Sequence, residues 1–312
     1  MVRKHTRRAA KAAFAISLGV ALLIGILAAG AGAARKTAKP TVVIGTKNFT
    51  EEYILGQIYG QALAAKGFHV VYKGSFGSSE LANTAIDSGK MNFYPEYTGI
   101  IALDLAQKPS VHESFPNTAA ATYAAAKAYE QKHGLTLLGA TPFVDSDTVT
   151  MLAATANKNH LTKISDLSKL KSFTYAGYPE CKTRVTCLVG LKQVYGLKNV
   201  KFVSLGSISV YTLLDKGQIT SGDGFTTDPQ QNSKKYTTLV DDKHIFGYEQ
   251  VAPVVSQKLL KGSAGMQLEA ICNKVSKLLT LKAMRAMDAA AYSQAGTPTQ
   301  IAHGFLKANG MA

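Results

Sequence analysis

The chain has 312 residues, with 35 Lys and Arg against 20 Asp and Glu, a formal charge of +15 and three cysteines. That length accommodates two lobes with separate cores. The positive balance fits an anionic envelope surface or simple solubility. The lysines are scattered as K-N, K-K, K-L-K and K-V-S-K with no stacking aromatics between them, which argues against nucleic acid as a partner.

The chain opens with M-V-R-K-H-T-R-R-A-A-K, five basic and no acidic side chains, followed by an apolar run from Ala12 to Ala29 and a small-residue cluster, A-A-G-A-G-A-A, before Arg35. Residues 1–34 therefore read as an export signal. An uncleaved membrane anchor is the alternative, since a run of about 18 residues lies at the short end of what spans a bilayer; the small-residue end favours cleavage. No cysteine follows the run, so a lipoprotein anchor is not expected, and the residues around Arg7-Arg8 match a twin-arginine signal poorly. Removing the signal leaves about +10 on roughly 275 residues. No later segment is apolar enough to cross a membrane, so any transport requires separate membrane subunits.

The rest alternates strand-like and helical patterns, which predicts α/β architecture with mostly parallel sheets. Val42 to Gly45 reads as a buried strand, and Glu51 to Lys66 as an amphipathic helix stopped by Gly67. A strand at Phe68 to Tyr72, a helix at Glu80 to Ser88, a short strand at Asn92 to Tyr94, a helix at Ala119 to His133 and a strand at Leu135 to Gly139 follow. T-P-F-V-D-S-D-T-V-T-M-L-A then changes character and reads as a crossover into a second lobe. There Ser165 is expected to cap a helix, S-F-T-Y-A-G and K-F-V-S-L are strands, V-G-L-K-Q-V-Y and V-Y-T-L-L-D-K-G are helices, and S-G-D-G-F-T-T-D is a strand end opening into a loop. H-I-F-G-Y-E-Q-V-A-P-V-V reads as the return crossover strand. Three helices close the chain, the last capped by Thr297 with Pro298 at its first position. No internal sequence repeat is present.

Cys181 and Cys187, separated by five residues in an exported chain, suggest a local disulfide; metal binding competes, but no nearby histidine pair completes a site. Cys272 falls on the apolar face of a helix and reads as a buried free thiol. The G-x-S-x-G elbow, the H-E-x-x-H run and suggestively paired carboxylates are all missing, so an exported enzyme is the weaker alternative, with Glu96 and Lys47, or Ser78 and a remote histidine, as its best candidates.

T-K-N-F-T-E, Y-P-E-Y-T-G, P-E-C-x-x-R, F-T-T-D-P and V-A-P-V-V together resemble the solute-binding proteins of ABC importers that capture glycine betaine, choline and related quaternary amines. The resemblance runs almost end to end after the signal. It implies a type II periplasmic-binding-protein-like fold, with lobe 1 at 35–144 and 251–312, lobe 2 at 145–250, two crossover strands and a ligand cleft between the lobes. It implies no cofactor, metal or catalysis, a monomer, and a permease with nucleotide-binding subunits as partners. A two-lobed sensor or adhesion protein for another small polar solute is the alternative.

The ligand residues implied are Lys47, Asn48, Tyr97, Asp147, Arg184, Phe225, Tyr248 and Glu249. Lys47 and Asn48 lie at the carboxyl end of the first strand, where clefts form in open α/β sheets; alternatively Asn48 or Thr50 caps the helix and Lys47 is solvated. Gly74, Gly77, Ser78 and Ser79 form a loop that reads as a turn ahead of an anion site. Tyr97, Phe225 and Tyr248 would enclose a cation that has no N–H donor. Asp147 and Arg184 can contact the ligand or form a bridge between lobes, and Asp228 is expected to stabilise the turn after Phe225. The pattern departs from betaine recognition at Ile100, Val149 and Glu249. If Glu249 and Asp147 both face the cleft, a cation without a carboxylate, such as choline, fits better than glycine betaine.

Overall fold

The computed structural model describes residues 39–106, 115–206 and 208–312; the export-signal region lies outside them. No helix of the described residues is long and apolar enough to cross a membrane. One five-stranded sheet is built from β1 (Val42–Thr46), β2 (Val70–Ser75), β3 (Phe93–Tyr97), β4 (Leu135–Leu137) and β10 (Val251–Ser256), in the order β2-β1-β3-β10-β4. The other holds β5 (Asp147–Leu152), β6 (Phe173–Gly177), β7 (Val200–Ser204), β8 (Ser221–Phe225) and β9 (Tyr236–Thr238), in the order β7-β6-β8-β5-β9. In each sheet the fourth strand of the order runs against its neighbours. That strand, β10 or β5, is the first one after a crossover, so each lobe completes its sheet with a strand delivered by the other.

Each sheet carries its own apolar core. Ile54, Leu55, Ile58 and Leu63 of the Thr50–Ala64 helix pack with Phe93, Tyr94 and Val254 in the first. Val149, Met151, Leu167, Phe173 and Leu191 form the second. The chain between the cores is paired: Asp145 N–H donates to Glu249 O at 2.8 Å, and Thr141 N–H to Val251 O at 2.8 Å. The two crossovers thus run side by side.

Several local expectations shift. The return strand begins only at Val251, because Gly247 (φ 67°) and His244 (φ 58°) leave the extended conformation. The second strand starts at Val70, since Phe68 is buried and closes the preceding helix by donating its N–H to Leu63 O. Ser165 does not cap a helix: the Asp166 carboxylate accepts from Thr162 and Lys163 N–H, while Ser165 Oγ donates to Asp242. Neither Asn48 nor Thr50 caps the first helix, whose N-cap position is Phe49. β9, three residues in a polar stretch, has no sequence signal strong enough to announce it. Thr297 caps the last helix as expected, with Gln300 N–H donating to Thr297 Oγ1 and Thr297 N–H donating to Gln300 Oε1. Cys272 is a buried free thiol.

Candidate ligand-binding site

Between the sheets lies a cleft of about 630 Å³, part of it open to solvent. Its first-lobe wall is made where β1 and β3 end. Lys47, Asn48 and Phe49 follow β1, and Tyr97 ends β3. The second-lobe wall is made by Asp147 at the start of β5, Asp223 and Phe225 at the end of β8, and the 178–187 loop. Of the residues expected at the ligand, Lys47, Asn48, Tyr97, Asp147, Arg184, Phe225 and Glu249 line this cleft. Tyr248 does not; it lines a separate depression with Asp241 and His244, and Glu249 takes the inward place. A Cβ at Gly99 would lie 2.4 Å from Glu249 Cγ, so the lack of a side chain at Gly99 is what lets Glu249 pack there.

Four rings line the cleft as a row. Phe49 stacks on Tyr97 with centroids 6.1 Å apart and on Phe225 at 6.3 Å, and Tyr178 lies 6.3 Å from Phe225. Lys47 already exploits these faces: its Nζ is 3.9 Å from the Tyr97 centroid and 5.5 Å from that of Phe49. It is not solvated, being 2 % exposed, and it pairs with the buried Glu96 and, at 3.6 Å, with Glu52. Glu96 also accepts from Ser79 Oγ at 3.2 Å and Tyr97 N–H at 2.8 Å. Burial still dominates at Glu52, pushing its carboxyl up to about 7 despite Lys47.

Arg184 spans the lobes. Its Nε and Nη2 donate to the two carboxylate oxygens of Glu80 at 2.9 and 3.1 Å, the bridge left open as an alternative to ligand contact. Burial works against both charges, yet this pair lowers Glu80 to about 2 and raises Arg184. Beside it, Asp104 of the first lobe accepts from Val185 N–H at 2.8 Å and Thr186 Oγ1 at 2.7 Å. The loop that presents Arg184 is closed by the Cys181–Cys187 disulfide. A Cβ on Gly177 would come within 2.9 Å of Cys181 Sγ, so the strand end is bare where the disulfide packs.

The cleft is rich in acid. Asp145, Asp147, Asp223 and Glu249 are all buried, and burial pushes each carboxyl upward, Asp147 to about 7; repulsion from neighbouring carboxylates adds to the effect. Asp223 is oriented by the Tyr175 hydroxyl, which donates to it at 3.0 Å. Asp228 stays with the backbone, accepting Phe225 N–H at 2.7 Å, as expected for a turn residue. Ser78 bonds Glu80 at 2.6 Å within the glycine loop. Ile100 lines the cleft, whereas Val149 is buried in the second-lobe core.

Phe49, Tyr178, Asp145 and Asp223 line the cleft without having been expected there. One of them had a readable signal: Asp223 lies two residues before the expected Phe225 on β8, and alternation puts both on one face. Phe49 and Tyr178 carry no such mark, being loop residues.

The OpuAC family model, the substrate binding domain of an ABC-type glycine betaine transport system, matches residues 40–308. A glycine-betaine-binding protein of Pseudomonas aeruginosa is 28% identical over 91% of each chain. The glycine betaine-binding protein YehZ of Escherichia coli is 27% identical over 86% of this chain and 90% of its own, and its apo structure superposes with a TM-score of 0.62, covering 87% of this chain and 99% of that one at 25% identity. A glycine betaine/carnitine/choline ABC transporter structure shares the fold at TM-score 0.68 and 22% identity, covering 86% of this chain and 99% of that one.

Proposed function

Since the chain belongs to the OpuAC family of substrate-binding domains of ABC-type glycine betaine transport systems, we propose that its cleft captures a quaternary amine lacking a carboxylate, with choline as the type. The chain is the substrate-binding component of an importer of the glycine betaine/choline class. It works on the outer side of the cytoplasmic membrane after its signal is cleaved, and delivers solute to a permease with nucleotide-binding subunits, which read lobe closure. The role is capture rather than catalysis.

The observation that carries the ligand reading is the charge inventory of the cleft. Its two cations, among the described residues, are both engaged: Lys47 with Glu96 and Glu52, Arg184 with Glu80. A ligand carboxylate would find no free cation and would face Asp147, Asp223 and Glu249. A trimethylammonium group needs none, because it carries no N–H donor and is attracted by ring faces and by negative charge. Tyr97, Phe49, Phe225 and Tyr178 supply the first, and the four acids, whose ionised form a bound cation favours, supply the second. Each well-placed ring contributes about 0.5–2 kcal/mol.

Titration calorimetry with choline, carnitine and glycine betaine tests this. Choline is expected to bind most tightly, and glycine betaine binding more tightly than choline would overturn the ligand reading.

A further inference from the structure

Beside the aromatic row lies a second compartment of about 680 Å³, which shares Phe49, Asp145, Tyr178, Asp223 and Phe225 with the first. No Lys, Arg or His lines it among the described residues. It is reached instead by Glu51 of the Thr50–Ala64 helix and Asp288 of the Leu281–Tyr292 helix, on a floor with Asp145, Asp223 and Asp228.

The five acids differ in what holds them: Asp223 Oδ1 accepts from Tyr175 OH at 3.0 Å. Asp145 Oδ1 accepts from Thr227 N–H and Oγ1, at 3.1 and 2.7 Å. Asp228 Oδ2 accepts from Tyr211 OH and Phe225 N–H, both at 2.7 Å. Glu51 is half used: Oε1 accepts from Tyr97 OH at 2.7 Å, while Oε2 is buried without a partner. Asp288 Oδ1 likewise meets no N–H or O–H donor, both side chains are at least nine-tenths buried, and the two carboxyl groups lie within hydrogen-bond reach of each other. Arg285, one turn before Asp288, is turned away to Thr226 O and Asn232 Oδ1. Unsatisfied carboxylate oxygens at this depth call for a donor. A quaternary ammonium has none, so the ligand of the first compartment cannot fill the role. A divalent cation wants six or more oxygens, whereas Tyr178, Phe225 and Tyr292 make much of this wall aromatic.

We infer that this compartment is a subsite for a protonated amine bearing N–H donors, held by Glu51 and Asp288 against the Phe225, Tyr178 and Tyr292 rings. Resting on the cation reading of the first compartment, it makes the preferred solute one with a quaternary ammonium at one end and a primary or secondary ammonium at the other. The rival state is a Glu51–Asp288 pair that shares a proton and takes no ligand, for which burial, by pushing Asp288 up to about 8, leaves room.

The test compares, on the full chain, the propyl, butyl and pentyl members of two probe series by calorimetry at neutral pH: ω-aminoalkyl-trimethylammonium and n-alkyl-trimethylammonium, with tetramethylammonium as reference. At least one amino probe is expected to bind about tenfold more tightly than its alkyl counterpart. Asp288→Asn should abolish that gain and leave tetramethylammonium affinity within about twofold. Amino probes binding no better than alkyl ones, a gain that survives Asp288→Asn, or calcium raising the melting temperature where the amino probe does not, would each overturn the inference. Failure of tetramethylammonium and of the alkyl series to bind, with an amino gain still present, would overturn the quaternary-amine reading alone; binding by no probe overturns both. Because the two series are compared on the unaltered protein, the result stands even if the variant does not fold.

Discussion

The two walls of the cleft hold their cations in opposite ways. Lys47, on the first lobe, is buried and satisfied by Glu96 and Glu52 of its own lobe, so its wall is complete whether or not the cleft is shut. Arg184, on the second lobe, is bonded among the described residues by Glu80 alone, across the gap, and its loop is seated by Asp104, also across the gap. On the proposed function, one wall is a preformed receptor and the other a latch: both present rings to the ligand, and the latch is the wall that couples binding to closure.

The largest effect should come from breaking the preformed wall. Lys47→Met strands Glu96 and Glu52 in the interior and should cost about 3–5 kcal/mol of stability, seen as a lower denaturation midpoint. Arg184→Ala should leave the melting temperature of the free protein nearly unchanged, because Glu80 is 42 % exposed and water takes over its charge. It should instead weaken choline binding by about tenfold through loss of closure, measured by calorimetry and by a larger radius of gyration in solution scattering with choline present. If Arg184→Ala destabilises the free protein as much as Lys47→Met, the distinction between receptor and latch fails. Removing the disulfide with Cys181→Ser and Cys187→Ser loosens the latch loop and should cost about 2 kcal/mol, given so short a loop. Phe225→Ala should weaken choline by about 0.5–2 kcal/mol in affinity with little effect on unfolding.

The smallest effect is a pH dependence that separates cleft acids from core acids. Burial raises Asp147 and Glu52 to about 7, Asp228 to about 6 and Glu130 to about 8. Each binds its proton more tightly folded than unfolded, so its stabilising contribution is complete below the ordinary carboxylate range and is lost as pH rises through the folded value. The melting temperature of the free protein should therefore fall between pH 5 and pH 8. Saturating choline should flatten the part due to Asp147, since a bound cation favours its ionised form. Glu130, whose two carboxylate oxygens are buried without partners in the Ala119–Lys132 helix, should keep its part, and Glu130→Gln should remove it. A slope unchanged by choline would mean that no cation sits near Asp147.

Much of the architecture was legible because it follows from local periodicity. β1, β6, β7 and β8 and the three closing helices lie where apolar spacing and glycine stops put them. Tyr248 against Glu249 shows the limit: alternation says that the two face opposite ways, but which one faces the ligand depends on the neighbouring Gly99, about 150 residues away in sequence. Ser165 shows another, since its capping role was displaced by a carboxylate one residue later and by Asp242, 77 residues on.

The sequence by itself determined the two-lobed α/β plan, the family and most of the residue types that line the cleft, because hydrophobic period, turn residues and short motifs act over a few residues. Only the tertiary structure decided that both cleft cations are already paired, that Phe49 and Tyr178 complete the row of rings, and that Glu51 and Asp288 end with free oxygens in one compartment. Pairing and burial are properties of side chains brought together from distant segments, and local spacing carries no information about which charge will meet which.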